Sequence, residues 1–159
     1  MHTDVASHIA SVAIDTAPDV AFGYIANPRH FGEWSLGGFH VKEITRDSYS
    51  GHSLIDGQAL HVRIEPDPAR GLIHFWTGPA PERLRNLILA RIVPGEMADL
   101  GPQSCILSLI SWAPASMTPA RWRQLCAAHE TEMFILKNRI EAFAMAQARV
   151  AGSGSLAGA

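Results

Sequence analysis

Apolar and polar positions along this chain repeat with two different periods, and the changes of period mark out its elements. Residues 8–16 alternate with period two. Ala10, Val12 and Ile14 share one side and Ser11, Ala13 and Asp15 the other, which predicts a strand with one buried face. Ala17-Pro18-Asp19 breaks the alternation, and Thr16 or Asp19 is placed to cap a helix beginning there. Residues 20–26 then predict a short helix burying Ala21, Phe22 and Ile25. Asn27-Pro28 separates it from a second short helix over residues 29–34, which Gly37-Gly38 stops. Period two returns in five successive segments, residues 39–45, 49–55, 58–65, 72–77 and 83–93, and again over 104–112. Strands that succeed one another without intervening helices predict an antiparallel meander.

The last change of period is the longest. Thr118 is a good N-cap and Pro119 suits the first helical position, where its missing N–H costs nothing. Met117 and Trp122 stand where a hydrophobic staple places them. No further Pro or Gly occurs until Gly152, so residues 118–148 predict a single helix roughly 45 Å long. Trp122, Cys126, His129, Met133, Leu136, Ile140 and Phe143 recur along it at steps of four and three, the spacing of one buried face. Six of these are apolar and one is histidine. Residues 149–159 are rich in Gly, Ser and Ala and are expected to form a flexible tail on a single domain spanning residues 1–148.

Turn chemistry extends these expectations to register. Asp56-Gly57 is a two-residue hairpin signal. With that loop, Ser53 faces Leu60, Gly51 faces Val62, Tyr49 faces Ile64, and His52 lies opposite His61. For Leu60, Val62 and Ile64 to share a face with Ile73 and Phe75, the outer face must carry His61, Arg63, Glu65, His74 and Trp76. A three-residue turn at Arg46-Asp47-Ser48 carries the same parity back to Phe39, Val41 and Glu43 on the inner face. Residues 83–93 are apolar on both sides. Asn86 is expected inward there, because the other choice buries Arg85 and Arg91 without partners.

Three stretches of the chain resemble a known superfamily: Ser11-Val12-Ala13-Ile14-Asp15-Thr16-Ala17-Pro18, then Val20 through Pro28, then Trp34-Ser35. Glu65-Pro66-Asp67-Pro68, Arg91-Ile92-Val93-Pro94 and Leu136-Lys137 through Glu141 resemble later parts of the same pattern. The order and spacing are similar to those of the SRPBCC superfamily, which includes START-type lipid carriers, birch-pollen-allergen-like proteins and polyketide cyclase/dehydrase-like proteins. The resemblance implies an α+β helix-grip fold. In it, a curved antiparallel sheet of about seven strands, in the order β-α-α-β6-α, wraps a long C-terminal helix around an apolar cavity. It implies no particular chemistry, because fold does not set function.

Composition narrows the function classes. The 159 residues carry a net charge of −2, with 47% hydrophobic and 18% charged residues and no basic run, which argues against a nucleic-acid partner. No apolar run approaches the length of a membrane span, and the first eleven residues lack the pattern of a signal peptide, so a cytoplasmic location is expected. Cys105 and Cys126 lie in apolar surroundings without metal-ligand spacing and are expected to be free thiols. Nucleophile-elbow, dinucleotide-binding and phosphate-loop motifs are all absent, and no metal or cofactor is expected.

Candidate ligand-binding residues are therefore those of the inner wall: Trp34, Phe39, Tyr49, Ser53, Phe75, Asn86, His129 and Met133. His129 is also the candidate catalytic residue. A neutral imidazole on the inner face of the long helix has the chemistry of a general base, while the plainer reading is a core histidine satisfied by a neighbour. The expected function is binding of a hydrophobic small molecule: a lipid, an isoprenoid or an aromatic polyketide-like compound. A cyclase/dehydratase-type enzyme using the same cavity is one alternative. The other is an interaction module without a ligand, in which the interior is solid and the outer histidines and Trp76 form the working surface; Trp76 is also the expected contact if the chain forms a homodimer.

Overall fold

The computed structural model describes residues 5–46 and 48–154. Strand β1 (Ser7–Ile14) is followed by helices α1 (Pro18–Ala26) and α2 (Pro28–Trp34). Strands β2 (Phe39–Thr45), β3 (Ser48–His52), β4 (Ala59–Asp67), β5 (Leu72–Gly78), β6 (Arg85–Pro94) and β7 (Cys105–Trp112) come next, and helix α3 (Pro119–Gly154) closes the chain. The seven strands form one curved antiparallel sheet in the order β1-β7-β6-β5-β4-β3-β2. This is the helix-grip fold. α3 continues past residue 148 through Gly154, and the rest of the expected tail, residues 155–159, lies outside the described residues.

Alternation sets the inner face. In β7 Cys105, Leu107, Leu109 and Ser111 are buried and the residues between them are not, while β1 contributes Ala10, Val12 and Ile14 to the core. Val62, Ile73, Phe75, Ala90 and Ile92 continue that surface across the sheet. Against it α3 lays Met133, Leu136 and Ile140, with Phe143 at the margin of the core, and α1 adds Ala21, Tyr24 and Ile25. Thr118 caps α3 as its side chain accepts the Arg121 N–H at 3.3 Å. Polar bonds anchor the helix on β1: Lys137 Nζ donates to the Ala13 carbonyl at 3.0 Å, and Glu141 Oε1 accepts both Lys137 Nζ (2.6 Å) and the Asp15 N–H (2.9 Å).

The register departs from the sequence expectation at three places. Tyr49 faces Val62, Gly51 faces Leu60 and His52 faces Ala59, two residues away from the pairing that a two-residue Asp56-Gly57 loop gives. The loop spans four residues instead, closed by the Ser53 N–H donating to the Gln58 carbonyl at 2.9 Å. A type I′ turn needs positive φ at both central residues. Only Gly57 has it, at +69°, while the Asp56 carboxylate takes the Gln58 N–H at 3.1 Å. A shift of two leaves every side chain on its expected face, but it separates His52 from His61, which faces Ser50.

Asn86 is the second departure. Ile88, Ala90 and Ile92 do point inward, as the chosen parity requires, but a bulge between β5 and β6 pairs Asn86 with Trp76. The extra residue turns Asn86 outward, where its amide donates to His74 Nδ1 at 2.9 Å. The third is β2, an edge strand whose pairing with β3 is irregular, with His40 at a left-handed φ of 53°. Val41 packs on the core there, but Glu43 is exposed and Phe39 is 39% exposed, stacked on His40. Asp47, in the expected turn before β3, lies outside the described residues.

Two glycines at positive φ separate strain from collision. Gly71 (φ +62°), before β5, sits against the Ile92 carbonyl, which a Cβ would strike, whereas Gly57 (φ +69°) has open space around it. Gly71→Ala is expected to cost about 3 kcal/mol and Gly57→Ala about 1 kcal/mol. Urea midpoints of the two variants test the ranking, and equal losses would mean the Ile92 contact is not tight.

Candidate functional site

Between the sheet and α3 lies a cavity of about 360 Å³. Phe31 and Trp34 come from α2, Leu60 from β4, Phe75 and Thr77 from β5, Ile88 from β6 and Leu109 from β7. α3 closes it with Leu125, Ala128, His129 and Glu132. Phe31, Trp34 and Phe75 form an aromatic cluster with ring centroids 5.0 to 5.9 Å apart. Its lining grades from buried to exposed. Phe31, Trp34, Ser35, Phe75, Leu109, Ala128, His129 and Glu132 are buried, while Asp56, Gln58, Ala59 and Pro79 at the other end are more open. At that outer end Arg121 Nη2 stands 3.5 Å from Asp56 Oδ2, linking the first turns of α3 to the β3–β4 loop.

Glu132 is the least expected part of the wall. It is only 4% exposed, and its Oε1 accepts the Leu36 N–H at 2.7 Å, tying α3 to the segment between α2 and β2. Burial pushes its carboxyl up to about 7, although hydrogen bonds from the Leu36 and Gly37 amides and the Ser35 hydroxyl oppose the rise. One turn earlier His129, 5% exposed, is pushed down to about 4, first by burial and then by the charge of His8. His129 Nε2 and Glu132 Oε2 are 3.9 Å apart. That is an ion-pair distance, but burial drives each group toward its neutral form, so between about pH 4 and 7 the pair is an imidazole beside a carboxylic acid. Loss of water is the larger cause of both shifts.

Of the residues expected to bind ligand, Trp34, Ser53, Phe75 and His129 line this cavity and the other four do not. Met133 is buried in the solid core below it, Tyr49 packs on that core from β3, Phe39 sits on the exposed edge strand, and Asn86 lies on the outer face. The outer face is cross-linked within itself. Trp76 Nε1 donates to Glu65 Oε2 at 2.8 Å, Arg63 pairs with Glu65 at 3.0 Å, and the Arg63 guanidinium covers the Trp76 ring at 4.9 Å. Among the described residues no three His, Cys, Asp or Glu side chains come together to hold a metal. No helix among them is long and apolar enough to cross a membrane.

Glu132, Arg121 and Asp56 are the charged lining residues that the hydrophobic pattern does not reveal. For Glu132 the signal was present: an acid three residues after His129, between Ala128 and Leu136, which share its side of the helix.

No family model matches the sequence, and no curated protein matches it. Solved structures do match its fold. A START superfamily protein from Mycobacterium smegmatis superposes with a TM-score of 0.63 at 14% identity, over 86% of this chain and 98% of its own. The Zhui aromatase/cyclase from Streptomyces sp. R1128 does so with a TM-score of 0.63 at 17% identity, over 94% and 99%. XoxI from Bacillus cereus gives 0.65 at 13%, over 85% and 95%. The fold is that of the SRPBCC proteins.

The opposite shifts of Glu132 and His129 have opposite effects on stability. A raised carboxyl favours the folded state when protonated, and that advantage is lost as pH rises from 4.5 through 7. A lowered imidazole works the other way, since the unfolded chain binds the extra proton between pH 4 and 6.5 and stability rises with pH there. In the intact protein the two slopes largely cancel. Relative to wild type, Glu132→Gln is expected to gain about 3 kcal/mol as pH rises from 4.5 to 7, and His129→Asn to lose about as much between 4 and 6.5. Denaturant titrations across pH measure both, and pH-independent differences would mean both groups ionise normally.

Proposed function

We propose that this protein binds a hydrophobic small molecule in the cavity between its sheet and α3. The observation that carries this reading is the cavity itself, about 360 Å³ with a predominantly apolar wall. That volume falls within the roughly 300–1,000 Å³ of ligand pockets, which are likewise mostly apolar with a few polar groups that fix orientation. Affinity comes from removing apolar ligand surface from water against Phe31, Trp34, Leu60, Phe75, Ile88 and Leu109. The shared fold with a START superfamily protein and an aromatase/cyclase supports the same class of ligand: lipid, isoprenoid or aromatic polyketide-like.

A cyclase/dehydratase-type enzyme is the second reading, favoured by His129 and Glu132. A neutral imidazole and a protonated carboxyl side by side at the buried end of a cavity can take a proton and give one in the same pH range.

Two measurements test these readings. 1-Aminoanthracene fluorescence should titrate to one site per chain. Ala128→Phe, which places a ring in the cavity, should weaken that binding at least tenfold while the protein still melts cooperatively. Undiminished binding would put the probe elsewhere. For the enzyme reading, 2-tetralone in D2O should exchange its α-protons faster with the protein than in buffer, and His129→Gln should abolish the acceleration. Exchange at the buffer rate would leave binding alone.

A further inference from the structure

Where the cavity wall is most deeply buried, two of its ring nitrogens lack partners. Eight buried side-chain nitrogen or oxygen atoms have no hydrogen-bond partner among the described residues. Three belong to residues of this one cavity: Trp34 Nε1, His129 Nδ1 and Arg121 Nη1. Trp34 and His129 are 4% and 5% exposed, so bulk water does not reach them freely. Buried polar groups in native proteins are normally paired, so two unpaired ring nitrogens on residues that line the same cavity point to a partner from outside the chain.

Their chemistry says what that partner is. The Trp34 indole N–H can only donate, while a neutral His129 offers one donor and one acceptor. A ligand oxygen satisfies the first as an acceptor and, if it is a hydroxyl, the second as a donor. An anionic group is disfavoured at this end, because no cation among the lining residues stands beside it and the Glu132 carboxyl adjoins His129. The cation that lines the cavity, Arg121, stands eleven residues before Glu132 on α3, about 16 Å away along the axis at the outer end.

We propose that Trp34 and His129 form an oxygen-recognition subsite at the inner end of the cavity, and that the occupant is an uncharged apolar molecule carrying a hydroxyl or carbonyl oxygen there. This rests on the cavity-binding reading above. It also sets a size: an apolar cavity of about 150 Å³ takes benzene, so 360 Å³ has room for about two or three rings or an aliphatic body of the same bulk.

The test uses two molecules of one shape, 2-naphthol and 2-methylnaphthalene, titrated calorimetrically into the full chain. A purely apolar cavity ranks the methyl compound tighter, since it is the more hydrophobic. The oxygen subsite reverses that order, with 2-naphthol expected to bind about tenfold tighter, the worth of one well-made buried hydrogen bond. Trp34→Phe trims the wall for both compounds but removes the N–H for one, so it should weaken 2-naphthol about tenfold more than it weakens 2-methylnaphthalene. His129→Leu provides the same comparison from the other side of the subsite. Equal affinities in wild type, or variants that lose both compounds together, would overturn the subsite and leave the apolar cavity standing. Failure of both compounds to bind wild type would overturn the cavity-binding reading, and the subsite with it.

Discussion

The hydrogen bond from the Leu36 amide to the Glu132 carboxylate group, 2.7 Å long, is the constraint on which the inner end of the cavity depends. Without Glu132 the chain leaving α2 loses the acceptor that the Leu36 and Gly37 amides and the Ser35 hydroxyl share on α3. With it, Trp34 and Ser35 are fixed opposite His129 and Glu132, and the cavity acquires a floor. Ionising that buried carboxyl at neutral pH costs about 3 kcal/mol relative to water, given its rise to about 7. An apolar residue at 132 would avoid this cost, but it would leave the Leu36 amide without its acceptor, and buried unpaired amides are costly in their turn.

The sheet supplies the rest by periodicity. Because side chains alternate across each strand, placing Val62, Ile73, Phe75, Ala90 and Leu109 inward commits their neighbours outward. There Arg63, Glu65 and Trp76 bond to one another. This explains why a register error of two in the β3–β4 hairpin leaves the inner face unchanged: parity, not pairing, decides which side chains the helix meets. It also explains why a single extra residue in β6 matters more. The bulge changes parity locally and removes Asn86 from the interior, where a polar amide would have needed a partner.

Element order, the meander and the buried stripe of α3 were thus legible from hydrophobic period and turn residues alone. The cavity wall was legible only in part, because a period identifies which side chains face inward and not which of them meet empty space. Met133 and His129 sit on the same stripe of α3, yet Met133 meets solid core and His129 meets the cavity. That difference depends on where the sheet curves away from the helix, a property of all seven strands together. Glu132 was missed for a different reason. An acid on an amphipathic helix ordinarily lies at the solvated margin, and only the loop amides it binds, 96 residues away in sequence, make its burial tolerable.

Burial is the main influence on both His129 and Glu132, and it comes from the packing that bounds the cavity. The same packing that excludes water from the space between sheet and helix strips both side chains of solvent, lowering one and raising the other. A ligand filling that space would complete the exclusion, since it replaces the remaining water without adding charge. Occupation should therefore push the two groups further toward their neutral forms, and each neutral form should in turn favour occupation by an uncharged molecule. A ligand there would therefore shift protons at both groups, onto Glu132 and off His129, and an uncharged occupant would be favoured over a charged one.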